Sequence, residues 1–264
     1  CRLLNLHVIL TIIVRGRRMI ISGIVLNNVG NVVDVQPIVS TNLVANYDPA
    51  TGISGSTFND SSGNGYNATL YNSPTTATVN GSIVLQLNGT NQYYYYTSGY
   101  SSALLGGSAT MDIWFNTSQN SGQQGLISEY GQAGLTGGWQ DAILGLSATK
   151  MAGGFYNGST GGFIQSTANY SINTWYNLVV ACNASTYYLY VNGVLQNTLS
   201  TTRQGTPSPL YYAIGYPDGF GGYLGGAGNG YFAGYIGPVK LYSTALTQAQ
   251  VTQNFNALRG RYGV

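Results

Sequence analysis

Charge is what this sequence has least of. Only 6% of its 264 residues are Asp, Glu, Lys or Arg, where a soluble domain ordinarily carries about a quarter. The surface is therefore wetted by amides, hydroxyls and phenols, which suits an extracellular or particle-bound protein. Arg2, Arg15, Arg17 and Arg18 supply four of the nine basic residues, and from Met19 onward five basic residues face seven acidic ones. No basic stripe is left for nucleic acid. One histidine, His7, and two cysteines, Cys1 and Cys182, are too few for a zinc site of the usual kind. His7 sits in the first segment, so the body cannot assemble a Ser–His–Asp triad, and no G-x-S-x-G elbow occurs. The apolar run Val8–Val14 is too short to span a bilayer. Cys182, inside "NLVVACNAS", reads as a buried free thiol; nothing in the sequence supports a bridge to Cys1.

What is abundant is glycine (38), tyrosine (23) and the small polar residues, with 44% hydrophobic content that rules out disorder. From about residue 42 short alternating segments recur: "SIVLQLN" (82–88), with Ile83, Leu85 and Leu87 on one face, and "TMDIWFNT" (110–117), with Met111, Ile113 and Phe115 against Asp112, Trp114 and Asn116. "DAILGLS", "WYNLVVAC", "TYYLYVN", "YYAIG" and "YIGPVKLY" continue the series. Asn192-Gly193 predicts a tight hairpin, because a type I′ turn needs positive φ at both central residues. One helix is marked, in "LTQAQVTQNFNALRG": Thr247 and Gln250 match a capping box, Leu246 with Val251 a hydrophobic staple, and Gly260 a stop. Val251, Phe255 and Leu258 give it one apolar stripe. The fold class predicted is all-β: a two-sheet antiparallel jelly-roll sandwich over 42–264 with one short C-terminal helix. Residues 1–41 are read as an extended apolar arm, since Leu4, Leu6, Val8, Leu10, Ile12 and Val14 alternate like a strand. Such an arm would dock by strand addition on its own domain or on a second copy.

Several segments come in an order that resembles the laminin-G-like, concanavalin-A-like jelly-roll superfamily. They are "NLVANYDPATGISGSTFNDSSGNGYNATLYNSP", "SIVLQLNGTNQYYYY", "TMDIWFNT", "WYNLVVACNASTYYLYVNGVLQ" and "YFAGYIGPVKLYSTALTQAQVTQNFNALRGRYG", together covering roughly 42–263. The "SGNGYNAT" motif and the closing "NFNALRGRYG" look most like versions in phage and large-virus structural proteins. The superfamily includes glucanases, whose two carboxyls lie two to four residues apart on one strand in an E-x-D-x-(x)-E pattern. Here Glu129 is the one glutamate, and Asp34, Asp48, Asp60, Asp112, Asp141 and Asp218 are isolated, so a glucanase of that type is excluded. The resemblance also implies a calcium ion, a hard cation held by loop oxygens. The candidate ligands are Asp60 and Asn64, with Asp48 in support. However, Gly237-Pro238 stands where many relatives carry an acid in the C-terminal strand. The alternative is a loop closed by its own Asx hydrogen bonds.

Sugar binding could use the aromatic candidates Tyr93 to Tyr96, Trp139, Tyr156, Tyr216 and Tyr223, although "QYYYY" also reads as a strand with tyrosines on both faces. The glycines of 219–230 lack the Gly-Lys-Ser/Thr ending of a phosphate-binding loop. Asn59, Asn67, Asn80, Asn88, Asn116, Asn157, Asn169 and Asn183 each open an Asn-x-Ser/Thr sequon. The sequence thus points to a non-enzymatic structural subunit of a virion or other extracellular assembly, with copies of itself or other assembly subunits as partners through the arm. The second expectation is a secreted carbohydrate-binding or adhesion module that meets cell-surface glycans.

Overall fold

The computed structural model describes residues 24–26, 32–34, 36–120, 122–135, 140–147, 149–158, 162–205, 207–217 and 230–264. The chain divides into two compact units, Cys1–Gln36 and Pro37–Val264. In the first, β1 (Ile24–Leu26) and β2 (Val32–Asp34) form an antiparallel hairpin with Val25 opposite Val33. The alternating strand expected at residues 4–14 lies outside the described residues.

The body begins with β3 (Leu43–Tyr47), α1 (Pro49–Gly52), β4 (Ile53–Ser54), β5 (Thr57–Phe58), β6 (Ala68–Tyr71), β7 (Thr75–Val79), β8 (Ser82–Asn88) and β9 (Tyr93–Tyr95). After α2 (Ser102–Leu105) come β10 (Ala109–Thr117), β11 (Gln123–Tyr130), β12 (Gln140–Ser147), β13 (Lys150–Gly154) and β14 (Phe163–Asn169). Then follow β15 (Tyr176–Cys182), β16 (Thr186–Val191), β17 (Val194–Ser200), β18 (Tyr211–Ile214), β19 (Ala233–Tyr242) and α3 (Gln248–Tyr262). One sheet runs β17-β16-β15-β10-β19-β8-β7, with β3 also on β19. The other runs β14-β13-β12-β11-β18-β9-β6-β5-β4. This is the antiparallel jelly-roll sandwich expected. Its core fills the space between the sheets with Met111, Ile113 and Phe115 from β10, Leu178 and Val180 from β15, and Tyr94, Leu126 and Tyr212 from the opposite sheet.

Strand β10 is buried along its whole length, because α3 covers the outer face of its sheet. The capping box of Thr247 and Gln250 is formed, and Leu246 and Val251 share one apolar cluster with Tyr242. Beyond the first turns, Phe255 and Tyr262 stack on Trp114, at 5.6 and 4.7 Å between ring centroids. Helix α3 therefore passes the expected stop at Gly260 and ends at Gly263, which is left-handed at φ 71°. The reason is tertiary: Tyr262 must stay helical to reach Trp114 and Trp175. Asn192 (φ 51°) and Gly193 (φ 76°) make the predicted hairpin turn.

Two further departures are local. Ile83 is 41% exposed, while Val84 is buried under the end of α3 and Leu85 and Leu87 enter the core. Besides α3, the described residues form two one-turn α-helices, α1 and α2, capped by the side chains of Asp48 and Ser101. Residues 37–40, read from sequence with the arm, attach to the body: Val39 N–H donates to Asn254 Oδ1 and Tyr242 Oη–H to the Val39 carbonyl. Cys182 is a buried free thiol, and burial pushes it up to about 11.

Candidate functional site

The outer face of the second sheet carries a cluster of phenols. Alternation alone sends Tyr94 into the core and leaves its neighbours Tyr93 and Tyr95 on the outer face. The same rule places Tyr71 outside when Leu70 is inside, and Tyr211 outside when Tyr212 is inside. Antiparallel pairing then sets Tyr71 opposite Tyr93, Tyr95 opposite Ala213, and Tyr211 opposite Tyr130. Tyr216 and Tyr231 extend the cluster past the ends of β18 and β19.

The rings are ordered rather than merely crowded. Tyr71 and Tyr93 stack 4.8 Å apart with planes 2° from parallel, and Tyr71 lies 5.3 Å from Tyr95 at 18°. Tyr93 meets Tyr216 edge-on at 4.5 Å, and Tyr216 meets Tyr231 edge-on at 5.4 Å. Both geometries suit the ring quadrupole. Tyr95, Tyr130 and Tyr211 are buried and form the floor with Leu135, while Tyr71, Tyr93, Tyr216 and Tyr231 are half-exposed. Tyr130 Oη–H is anchored by donating to the Pro217 carbonyl. Burial, with the phenols of Tyr216, Tyr71 and Tyr231 around it, pushes the Tyr93 hydroxyl up to about 12. The Tyr93 hydroxyl therefore stays a neutral donor and acceptor across the physiological range. Beside Tyr71 a cleft of about 240 Å³ is lined by Gly55, Ser56, Leu70, Asn72, Ser73 and Pro74.

Sequence reasoning reached part of this cluster. Tyr93, Tyr95 and Tyr216 belong to it. Tyr94 is core, Tyr96 packs between Tyr66 and Tyr100, and the Tyr156 carbonyl accepts from Gln204 N–H away from it. Trp139 and Tyr223 lie outside the described residues, as does most of the glycine loop 219–230. Tyr71, Tyr130, Tyr211 and Tyr231 were missed, because they lie far apart in sequence, in β6, β11, β18 and just ahead of β19, and only the fold brings them together.

The proposed calcium ligands are placed as follows. Asp60 Oδ1 accepts from Asn46 N–H (2.8 Å) and Ser62 N–H (2.9 Å), and Oδ2 from Ser62 Oγ–H (2.7 Å) and Tyr66 N–H (3.1 Å). Asn64 Nδ2 donates to the carbonyls of Leu43 and Val44. The loop thereby covers the open edge of β3, whose other edge pairs with β19. Asp48 is turned elsewhere, into a two-pronged pair with Arg261 at 2.7 and 2.9 Å. Among the described residues no three His, Cys, Asp or Glu side chains cluster as a metal site would require. At Gly237 a Cβ would stand 2.7 Å from Tyr262 Oη and 2.8 Å from Trp114 Cβ, so Tyr262 of α3 and Trp114 of β10 occupy the space an acid would need.

The one glutamate, Glu129, is buried inside the sandwich. It accepts from Arg203 and from Tyr212 Oη–H, and Arg203 also donates to the Leu105 and Gly106 carbonyls. A larger cavity of about 470 Å³ opens beside Arg203, lined by Ser102, Gly106, Ser108, Gln204 and Ser243 among others, but without an aromatic ring.

Residues 88–252 match a family described as the concanavalin A-like lectin/glucanases superfamily. Comparison with curated protein sequences finds no match. Among solved structures, the chain is similar to domain 4 of AbnA, a GH43 extracellular arabinanase from Geobacillus stearothermophilus, in complex with arabinotriose. The TM-score is 0.56 and the identity 16%, over 81% of this chain and 98% of that one. It is also similar to the binding domain of Paraclostridial Mosquitocidal Protein 1 (TM-score 0.60, identity 16%, 83% of this chain and 52% of that one). A mutant of Trypanosoma rangeli sialidase displaying trans-sialidase activity aligns with a TM-score of 0.60 and 17% identity, over 86% of this chain but only 34% of its own. The chain thus spans about half of the toxin domain and a third of the sialidase, and at these identities the likeness is one of fold.

Proposed function

The chain belongs to the concanavalin A-like lectin/glucanase superfamily, and from that premise we propose that its body is a non-enzymatic, extracellular glycan-binding module whose contact surface is the tyrosine cluster. One observation carries this reading: four half-exposed phenols stand on a floor of three buried ones on the open face of a sheet. Rings held by their neighbours lose little entropy on contact, and each offers a flat apolar face with a hydroxyl at its tip. Such surfaces suit the C–H faces and hydroxyl edges of sugar rings. The arabinotriose bound to the similar arabinanase domain supports the ligand class. Catalysis finds no support in the carboxyls, since Glu129 is committed to Arg203 in the interior and a retaining glycosidase needs two carboxyls about 5 Å apart across the substrate.

The test is a glycan array read with the parent protein, Tyr93→Ala and Tyr216→Ala. Each substitution is expected to weaken binding about tenfold, equivalent to roughly 1.4 kcal/mol. Retention on the bound glycan should stay flat between about pH 5 and pH 9, because burial pushes the Tyr93, Tyr95 and Tyr231 hydroxyls above the ordinary phenol range. A blank array for the parent, or unchanged binding in both variants, would sink the proposal.

A second reading, a structural subunit of a virion or other assembly, is favoured by the alternating apolar pattern of residues 4–14 and the scarcity of charge in the sequence. Its test is mass in solution with and without residues 1–36. Oligomers that vanish on truncation would support it, and monomers in both cases would end it.

A further inference from the structure

Beneath α3 lies a buried polar group that the glycan-binding reading does not use. Lys240 on β19 is directly opposite Asp112 on β10, and its Nζ donates to Asp112 Oδ2 at 3.1 Å. Asn254 of α3 brings its Nδ2 to the same carboxylate oxygen at 3.2 Å. Asn177 Nδ2 takes the other oxygen, Oδ1, at 2.7 Å. The Asn254 carbonyl accepts the Val39 N–H at 2.8 Å, and its Nδ2 donates to Tyr242 Oη at 3.0 Å. Asp112, Asn177, Lys240 and Tyr242 are fully buried, and Asn254 is 1% exposed.

From this arrangement we propose that Lys240 and Asn254 are joined by a self-formed amide cross-link between Nζ and Cγ, with Asp112 as the proton carrier. Each part is placed for its role. An amine and a carboxamide nitrogen converge on one carboxylate oxygen in a buried site, as an acid–base shuttle requires. The Val39 N–H points at Asn254 Oδ1, where negative charge develops when Cγ is attacked. The hydrogen bond to Asp112 satisfies only one of the three Nζ donors. A buried ammonium in that state is costly, and conversion to a neutral amide removes the charge.

The step balances without an oxidant or other co-reactant. The Lys240 ammonium gives one proton to Asp112, and the free amine attacks Cγ of Asn254. The Nζ–Cγ bond forms and the Cγ–Nδ2 bond breaks. Both protons shed by Nζ pass through Asp112 to Nδ2, which departs as ammonium, and Asp112 returns to a carboxylate. The chain loses the mass of one ammonia.

Intact mass of the full chain followed by a tryptic map tests this. The expected protein is one ammonia lighter than its sequence. Acylated Lys240 resists trypsin, so 204–259 should appear as a single peptide closed between Lys240 and Asn254. The Lys240→Arg and Asn254→Ala variants should recover the full sequence mass. A succinimide at an Asn-Gly step sheds the same mass, but it would persist in Lys240→Arg and map elsewhere. The full sequence mass in the parent, a deficit that survives Lys240→Arg, or a link from Lys240 to Asn177 or Asp112 would each overturn the proposal. Should a variant fail to fold, the map of the parent alone still decides.

Discussion

Asp60 and Asp48 show how few carboxylates this protein has and how fully each is used. Asp60 gathers four donors from its own loop and from β3, which makes it the closure of a strand edge. Asp60→Ala should therefore cost about 2–3 kcal/mol, the scale of losing charge-assisted hydrogen bonds. We expect the fall in melting temperature to be the same with and without calcium; a calcium-dependent difference in the parent would show a bound ion instead. At Asp48 burial would raise the carboxyl, but the Arg261 fork and the Ala50 N–H outweigh it and the net shift is downward. A depressed carboxylate contributes stability that is complete above about pH 4, its ordinary value, and is lost as pH falls through the lower folded value. Arg261→Ala is thus expected to cost about 1–2 kcal/mol at pH 7, with the gap to the parent closing in acid. Urea titrations at both pH values check this, and an equal gap at each would mean that Arg261 contributes by packing on Tyr262.

Among the elements, those fixed by neighbours in sequence were legible and those fixed by partners across the fold were not. The Asn192-Gly193 turn and the Thr247–Gln250 box need only their own backbone, and both were predicted. The end of α3 was misplaced because Gly260 and Gly263 are equally able to stop a helix; contact of Tyr262 with two tryptophans decides between them. Ile83 misled for a related reason: its strand has a core below and a helix end above, so Val84 is as buried as Leu85. The tyrosine cluster was half-visible, since the period-two rule exposes Tyr93 and Tyr95 but no local signal pairs Tyr71, Tyr211 and Tyr130 with them. Gly237 offers a direct test of how tightly α3 is seated. Gly237→Ala places a methyl within 3 Å of Tyr262 and Trp114, and we expect a loss of about 1–3 kcal/mol from overpacking. Tryptophan fluorescence during unfolding would report it, and an unchanged midpoint would mean that the helix end shifts freely.

At the scale of the whole molecule the two outer faces differ. Helix α3 closes one, with Asp112, Lys240 and Asn254 buried beneath it, and the phenols of the other remain open to contact. The superfamily fold was legible from segment order alone, since turn chemistry and strand spacing carry it; the proposed contact face was not, because it depends on which face α3 leaves uncovered.

One feature of the body bears on how it is made. Strand β3, at Leu43–Tyr47, pairs with β19, and Asp48 pairs with Arg261, 213 residues further along. During synthesis the first body strand must therefore wait, with one edge open, for β19 and α3 to leave the ribosome. Closure of so long a loop slows folding and leaves strand edges exposed in the meantime. Loss of the final turns of α3 would then strike the nascent body as a whole, and stop codons placed within α3 should yield aggregates rather than shortened soluble bodies.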